Sequence, residues 1–501
     1  MSRANSALKG IISSQVFMVI NLLLNLFSTP FIIHHLNAQV YGLSIIIFQI
    51  VGYLGIFDFG LTSGMVRYLA TARGESEEAI SNSRKIISTS FIIYAFLGVI
   101  VSVIGIGLAP FASMAFKITN NFEHQVTHII SIISVIVGLQ FLVKAVTGVF
   151  FAHQRQVLSN SIIFATGILN TILIVLFIYL GYNLWSFVYA QIIVLIISGI
   201  INVYFFKKYY RSISISIKDF DYSLLKEMFS FGFFIFLNGI AVQIIFQTDR
   251  IMIGSIISLS AVTIYSITSK IPEIVSQLIW KITDNALPAM IELSGAGSKK
   301  PFRDIHNNIM QLSLSLATAG FWIIIIIAFP FIKLWVGGQY YAGITFIAVV
   351  SYMFLIHHSI IHVTAVCLNG AGFTKGFSIM SLIEAAANLA LSIILGRLYG
   401  ITGIVVATII AGILTSGWFV PYIAFKNMDF DWKQYFYYIL KPVIGCSFFG
   451  VLFYYEFNDF FKAINQWIIL FLSAAGITIL FLLPVFYINK RSVLNFMNRN
   501  K

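Results

Sequence analysis

The chain has 501 residues, of which 59% are hydrophobic and only 10% charged, with a formal net charge of +13. A soluble protein needs about 25% charged residues to cover its surface, so a soluble enzyme or nucleic-acid-binding domain is excluded as the main body. Apolar runs long enough to span a bilayer recur along nearly the whole length, about twice too long for barrel strands, which predicts an all-α polytopic membrane protein.

Residues 1–9 carry Arg3 and Lys9 and lead into an apolar run past Phe31. That run lacks a small-residue cleavage site, so it reads as a first span and not as a signal peptide. Fourteen spans follow from the runs: about 9–33, 40–66, 86–109, 127–150, 160–181, 184–206, 229–250, 261–291, 309–331, 343–368, 377–398, 401–425, 438–456 and 466–488. With the N-terminus in the cytoplasm, 23 of the 31 Lys and Arg fall in cytoplasmic segments. Four fall outside (Lys117, Lys333, Arg397 and Lys462) and four within spans (Lys144, Arg250, Lys270 and Lys281). This bias places both termini in the cytoplasm and assigns most of the positive charge to topology, not to nucleic acid. Cys367 and Cys446 lie in apolar runs, where neither a disulfide nor a metal is implied.

The longest cytoplasmic loop, 207–227, divides two repeats. Tyr41 matches Tyr265, Asp58 falls near Asp284, Pro110 matches Pro330 and Asn170 falls near Asn388, at offsets between 217 and 226. The expected organisation is an N-terminal lobe at 1–206, a cytoplasmic linker at 207–228 and a C-terminal lobe at 229–425. Spans thirteen and fourteen and a cytoplasmic tail occupy 426–501. Six spans per repeat is an even number, so a pseudo-two-fold along the membrane normal should relate the lobes, with a polar site between them.

Polar groups inside the spans are the informative minority, because each ionisable one costs about 2.5 kcal/mol or more at the bilayer centre. In span one, Ser14, Met18, Asn21, Asn25 and Ser28 share a face, suited either to helix–helix hydrogen bonds or to cavity lining. Asp58 in span two, followed by Gly60 and Gly64, is a proton or cation carrier or a permanent partner of a basic neighbour. Span four holds Gln140 and Lys144; span seven holds Gln243, Gln247 and Arg250 on one face, with Asp249 beside them. Span eight reads as one long helix, bent at Pro272, over about 261–292. Its Lys270, Glu273, Gln277, Lys281 and Asp284 share one face, and Lys270–Glu273 and Lys281–Asp284 are spaced to pair. Span ten holds His357, His358 and His362, which lack a third ligand in motif context and read as core or cavity histidines, with no metal or cofactor expected. Ser381, Glu384, Asn388 and Ser392 share a face of span eleven.

Pairing all these ions internally would carry a heavy desolvation cost without stabilising the fold, so a hydrated cavity is the cheaper explanation. Arg250, Lys281, Lys270 and Lys144 would suit a phosphate or pyrophosphate head group there. Gln243, Gln247, Gln277, Asn21 and Asn25 would suit sugars. Asp58, Asp249, Glu273, Asp284 and Glu384 would suit a coupling H⁺ or Na⁺. No Walker motif appears and no loop is long enough for a glycosyltransferase domain. A transporter driven by a gradient or by cargo supply is expected, not an enzyme.

The run Gly55-Ile56-Phe57-Asp58-Phe59-Gly60-Leu61, continuing to Val66-Arg67-Tyr68, and the six-plus-six-plus-two arrangement of spans carry a resemblance. The chain resembles the polysaccharide flippases, the Wzx-type O-antigen and capsule repeat-unit transporters of the multidrug/oligosaccharidyl-lipid/polysaccharide exporter superfamily. The resemblance implies a V-shaped, two-lobed transporter of the bacterial cytoplasmic (inner) membrane. It would flip undecaprenyl-pyrophosphate-linked oligosaccharide by alternating access, with a cationic cavity and cation-coupled antiport, for O-antigen, capsule or exopolysaccharide synthesis. Membrane lipids and a polysaccharide polymerase would be its partners. Two other readings stand beside it. A multidrug cation antiporter of the same superfamily should line its cavity with acids and aromatics and little positive charge. A non-transporting scaffold of a polysaccharide assembly complex should use its polar groups only to pair.

Overall fold

The computed structural model describes residues 3–72, 76–116, 118, 120–211 and 213–499, with side chains between 13 and 490 except at 120, 121, 231, 234 and 235. Arg73, Lys117 and Lys501, which enter the charge distribution, lie outside the described residues, as do the side chains of Arg3, Lys9, Arg491 and Arg499. Every regular element among the described residues is helical. In order they are α1 (Arg3–Leu54), α2 (Leu61–Thr71), α3 (Glu77–Ala115), α4 (Asn120–Ala152), α5 (Gln156–Tyr179), α6 (Trp185–Tyr209), α7 (Tyr222–Ile256) and α8 (Leu259–Thr268). Then follow α9 (Lys270–Gly295), α10 (Lys299–Trp335), α11 (Ile344–Ser351), α12 (His358–Gly370), α13 (Thr374–Leu414), α14 (Ser416–Met428), α15 (Trp432–Ala463) and α16 (Trp467–Arg499).

Among the described residues, ten helical stretches are long and apolar enough to cross a membrane. Two of them hold two passes each, because a residue at positive φ breaks the run. Asn37 (φ 61°) splits α1 and caps its second half, its Oδ1 accepting the Val40 N–H at 3.1 Å. Gly400 (φ 62°) splits α13. With α7 and the α8–α9 pair, the described residues make fourteen helical passes. Val99, Val103, Phe448, Leu472, Leu483 and Phe486 stand exposed on the passes, an apolar surface that only lipid would cover. The chain is a multi-pass integral membrane protein.

The chain divides into two compact units, Met1–Ile240 and Ala241–Lys501. In the first, α3 and α4 cross at small residues. A Cβ on Gly98 would overlap the Gly138 carbonyl, and one on Gly105 would overlap Ser134, the close approach that drives helix association in lipid. The linker is fastened to α3, where Ser88 Oγ accepts the Ser216 N–H at 3.1 Å and Thr89 Oγ1 accepts the Asp221 N–H at 3.0 Å. The first part of α7 packs in this unit as well, with Gly60 and Gly64 against Gly232 and Met228. In the second unit α10 is central. The last two passes lie on it, with Trp322 Nε1 donating to Ser447 Oγ at 3.1 Å and Gln311 Nε2 to the Ile488 carbonyl at 2.8 Å.

Two expected spans are not continuous helices. Span two is interrupted by a turn over 55–60, with Phe59 (φ 52°) and Gly60 (φ 72°) both left-handed. Span eight is interrupted at Ser269, between α8 and α9. Pro272 has no N–H for the Thr268 carbonyl four residues back, but Ser269 keeps helical dihedrals and the Ser269 and Glu273 N–H groups donate to the Tyr265 and Ser269 carbonyls, so the helical path expected for span eight continues through the interruption.

Candidate functional site

In the first unit the Phe-Asp-Phe-Gly segment is the turn itself. Asp58 Oδ1 accepts the Gly60 N–H at 3.0 Å, and Oδ2 accepts Thr62 Oγ1 at 2.9 Å. Thr62 in turn meets Tyr94 Oη at 2.6 Å. The carboxylate thereby satisfies backbone and hydroxyl groups left over by the break, as an N-cap does. Lys144 on α4 donates to the Gly55 carbonyl of the same turn at 3.0 Å and lies over the Phe141 ring at 4.9 Å. Neither Asp58 nor Lys144 forms a salt bridge among the described residues, so the permanent ion pair considered for Asp58 is not seen. In α1, the Asn25 amide donates to the Asn21 carbonyl of its own helix at 2.9 Å, while the Asn21 side chain packs on Gly167 of α5.

The second unit gathers most of the remaining candidates. Arg250 of α7 is buried; its guanidinium is ion-paired with Glu273 of α9 and donates to Gln247 Oε1 at 3.2 Å. Ser269 Oγ, at the α8–α9 break, also donates to Glu273, at 3.3 Å. Glu273 thus pairs across helices and not with Lys270, the neighbour that spacing offered. Gln243 lies one turn before Gln247 on α7, partly buried. The buried Asp249 faces another way. Its Oδ2 accepts Tyr265 Oη at 3.0 Å and its Oδ1 accepts Thr408 Oγ1 at 3.4 Å, while Thr408 receives the Asn388 amide at 2.7 Å. Asn388 Oδ1 and Ser392 Oγ, both buried on α13, have no hydrogen-bond partner. A buried carboxylate joined through Thr408 to an asparagine with an unsatisfied oxygen is donor chemistry for a proton or a hard cation.

Further along α9, Lys281 Nζ pairs with Asp284 at 3.1 Å, and Asp284 also meets His362 Nε2 of α12 at 3.1 Å. Lys270, first residue of α9, makes no hydrogen bond or ion pair among the described residues. Gln277 is exposed on the same face and likewise makes none. Three of the five rungs on this face are therefore engaged with protein groups. Glu384 is buried on α13 and accepts a hydrogen bond from Ser416 Oγ. No group of three or more His, Cys, Asp or Glu among the described residues could hold a metal.

Sequence reasoning missed Ser269, Thr408 and Ser416 as members of the site. Hydroxyls on apolar helices carry no spacing signal, and only the repeat drew attention to Tyr265.

The profile of the family described as "Polysaccharide biosynthesis protein" matches residues 7–294. The chain is 22% identical over 486 residues to EpsK of Bacillus subtilis (strain 168), an uncharacterized membrane protein, covering 93% of this chain and 92% of that one. It is 21% identical over 399 residues to a Shigella flexneri protein named as a candidate O-antigen transporter, covering 78% and 91%. Among solved structures, the lipid II flippase MurJ in an inward closed conformation superposes with a TM-score of 0.71 at 17% identity, over 96% of this chain and 100% of that one. An inward-facing multidrug resistance MATE family transporter of the MOP superfamily gives 0.68 at 14%, over 84% and 99%. At these identities the two structures share the fold, and nothing finer follows from them.

Proposed function

Because the chain belongs to the polysaccharide biosynthesis protein family, we propose that it flips undecaprenyl-pyrophosphate-linked oligosaccharide repeat units across the bacterial cytoplasmic membrane. It does so by alternating access, coupled to an H⁺ or Na⁺ gradient, with both termini in the cytoplasm. The observation that carries this reading is basic charge held within the passes with no salt bridge to a carboxylate among the described residues. Lys270 makes no hydrogen bond or salt bridge among the described residues, and Lys144 donates to a backbone carbonyl and lies over the Phe141 ring. An uncompensated ammonium in lipid is expensive, and an anionic head group offsets that cost each time it enters. Asn and Gln amides on the same faces supply hydrogen bonds to sugar hydroxyls. The transport-associated name of the Shigella relative supports the same cargo class.

Coupling is assigned to Asp249, which Thr408 joins to Asn388, whose Oδ1 is left without a hydrogen-bond partner. Asp58, Glu273, Asp284 and Glu384 are further candidates, of which Glu273 is committed to Arg250 and Asp58 to its turn. A multidrug cation antiporter would have to expel organic cations past Lys270 and Lys144, which like-charge repulsion opposes.

The reading is tested in a deletion strain. Loss of the chain should accumulate the complete undecaprenyl-linked oligosaccharide on the cytoplasmic leaflet and remove the polymeric glycan. An unchanged glycan and no accumulated intermediate would defeat it.

A further inference from the structure

The second unit also holds a line of histidines that neither cargo binding nor the Asp249 network uses. A π-helical turn, Tyr352–His357, joins α11 to α12 and packs one extra residue into the helix there. It brings the adjacent His357 and His358 both into the interior, with 5% and 6% of their surface exposed. His358 packs between Phe246 of α7, with ring centroids 4.7 Å apart, and Trp280 of α9, at 6.3 Å. Neither of its ring nitrogens has a hydrogen-bond partner, and nor does His357 Nε2. Leaving a buried polar atom unpaired costs about 1–3 kcal/mol, so three such atoms on neighbouring residues call for an explanation beyond packing.

On the far side of His357, Gly412 leaves a gap. A Cβ there would overlap His357 Nε2 and stand 3.4 Å from Glu384 Oε1. Imidazole and carboxyl therefore line the same space, and the other carboxyl oxygen of Glu384 is held by Ser416. On the near side, His362 lies one helical turn from His358, stacks on Trp280 at 4.9 Å and 21°, and bonds Asp284 at 3.1 Å. Exposure falls along the series. The side chains of Asp284 and His362 are 36% and 26% exposed, whereas His358, His357 and Glu384 are buried.

We propose that Asp284, His362, His358, His357 and Glu384 form one proton-binding line, in which the half-exposed Asp284–His362 pair receives a proton and the buried His357–Glu384 pair stores it. The facing groups are consistent with that direction. From α9 come Trp280, Asp284 and Lys281, whose charge Asp284 screens; from α7 comes Phe246; from the π turn, Tyr352; from α13 and α14, Glu384 and Ser416. A proton added at His362 leaves it as imidazolium beside the Asp284 carboxylate. A rotation that brings the unpartnered nitrogens of His358 against His362 and then His357 carries it inward, where it neutralises Glu384 or is shared with His357, and it leaves by the same groups. The site rests on the coupled-transport reading only for its consequence, which is that cargo movement varies with pH.

Trp280 reports on this line without cargo, because a protonated imidazole stacked on indole quenches its emission. Tryptophan fluorescence of the full-length, detergent-purified protein is titrated with pH, and the Trp280→Phe signal is subtracted to remove the other six tryptophans. Emission should fall as pH falls. Glu384→Gln and His357→Gln, neither of which touches Trp280, should each move the midpoint by about one pH unit or more if the groups titrate as a coupled set. If Glu384→Gln fails to fold, Ser416→Ala, which removes a hydrogen bond from the same carboxyl, should move it in its place. Midpoints unmoved in the folded variants would overturn the proposal. A protein that titrates as expected but moves no lipid-linked glycan would uphold the proton line and defeat the transport reading, so the two fail separately.

Discussion

At Arg250, the cost of taking a charge out of water is offset by a carboxylate from another helix, a glutamine one turn earlier and the Tyr265 ring 5.7 Å beneath the guanidinium. Removing one member of such a pair strands the other. Arg250→Ala is therefore expected to destabilise the protein by about 3–5 kcal/mol, read as a lower melting temperature in detergent. The double substitution Arg250→Met with Glu273→Met should recover much of that loss. Lys270→Ala is expected to behave in the opposite way, folding as well as the parent while losing most surface glycan, since that ammonium makes no hydrogen bond or salt bridge among the described residues. Which carboxylate pairs with which base was not legible in the sequence. Helical phase placed Lys270, Glu273, Gln277, Lys281 and Asp284 on one face correctly. It compares only neighbours on one helix, though, and Glu273 is claimed by Arg250 from α7. Lys281–Asp284, three residues apart, is the pair that spacing did foretell.

Among elements, the turn at 55–60 matters most, because it sets where α2 meets α7. Gly60 sits at φ 72°, and a Cβ there would approach Gly232 Cα to 2.8 Å. Gly60→Ala should thus cost at least about 1–2 kcal/mol from backbone conformation alone, plus the displacement of α7, measurable by thermal unfolding. Asp58→Asn keeps one acceptor for the Gly60 N–H, so it should retain more stability than Asp58→Ala, which loses the cap and about 1 kcal/mol. If Asp58→Asn folds normally and still abolishes transport, the charge matters beyond the cap. Helix breaks were legible only in part. Pro272 announces its own, because the missing N–H is written in the residue type. The Phe59–Gly60 turn lies inside an unbroken apolar run, and the π-helical turn before His358 has no residue signature at all. Both depend on tertiary packing that composition does not record.

For the whole molecule, run length and the distribution of Lys and Arg carried the most information. An apolar stretch must match the bilayer, and the positive charges left in loops must alternate with its passes; together they give fourteen passes, and the structure has fourteen among its described residues. The candidate site was legible as a set of polar faces, not as a network, because hydroxyls such as Thr408 and Ser416 are chosen by neighbouring helices. The central claim is that this fold carries an anionic lipid-linked glycan past basic side chains that form no salt bridge, Lys270 and Lys144, under a cation gradient. It is tested most directly in proteoliposomes loaded with undecaprenyl-pyrophosphate-linked oligosaccharide, by following accessibility of the sugar at the opposite leaflet with and without a pH or Na⁺ gradient. The parent protein should transfer the glycan faster under one of the gradients, and Lys270→Ala should reduce the rate by about tenfold or more, the loss expected for one charge-assisted contact of 1.5–3 kcal/mol. Equal rates for parent, Lys270→Ala and protein-free vesicles would contradict the account.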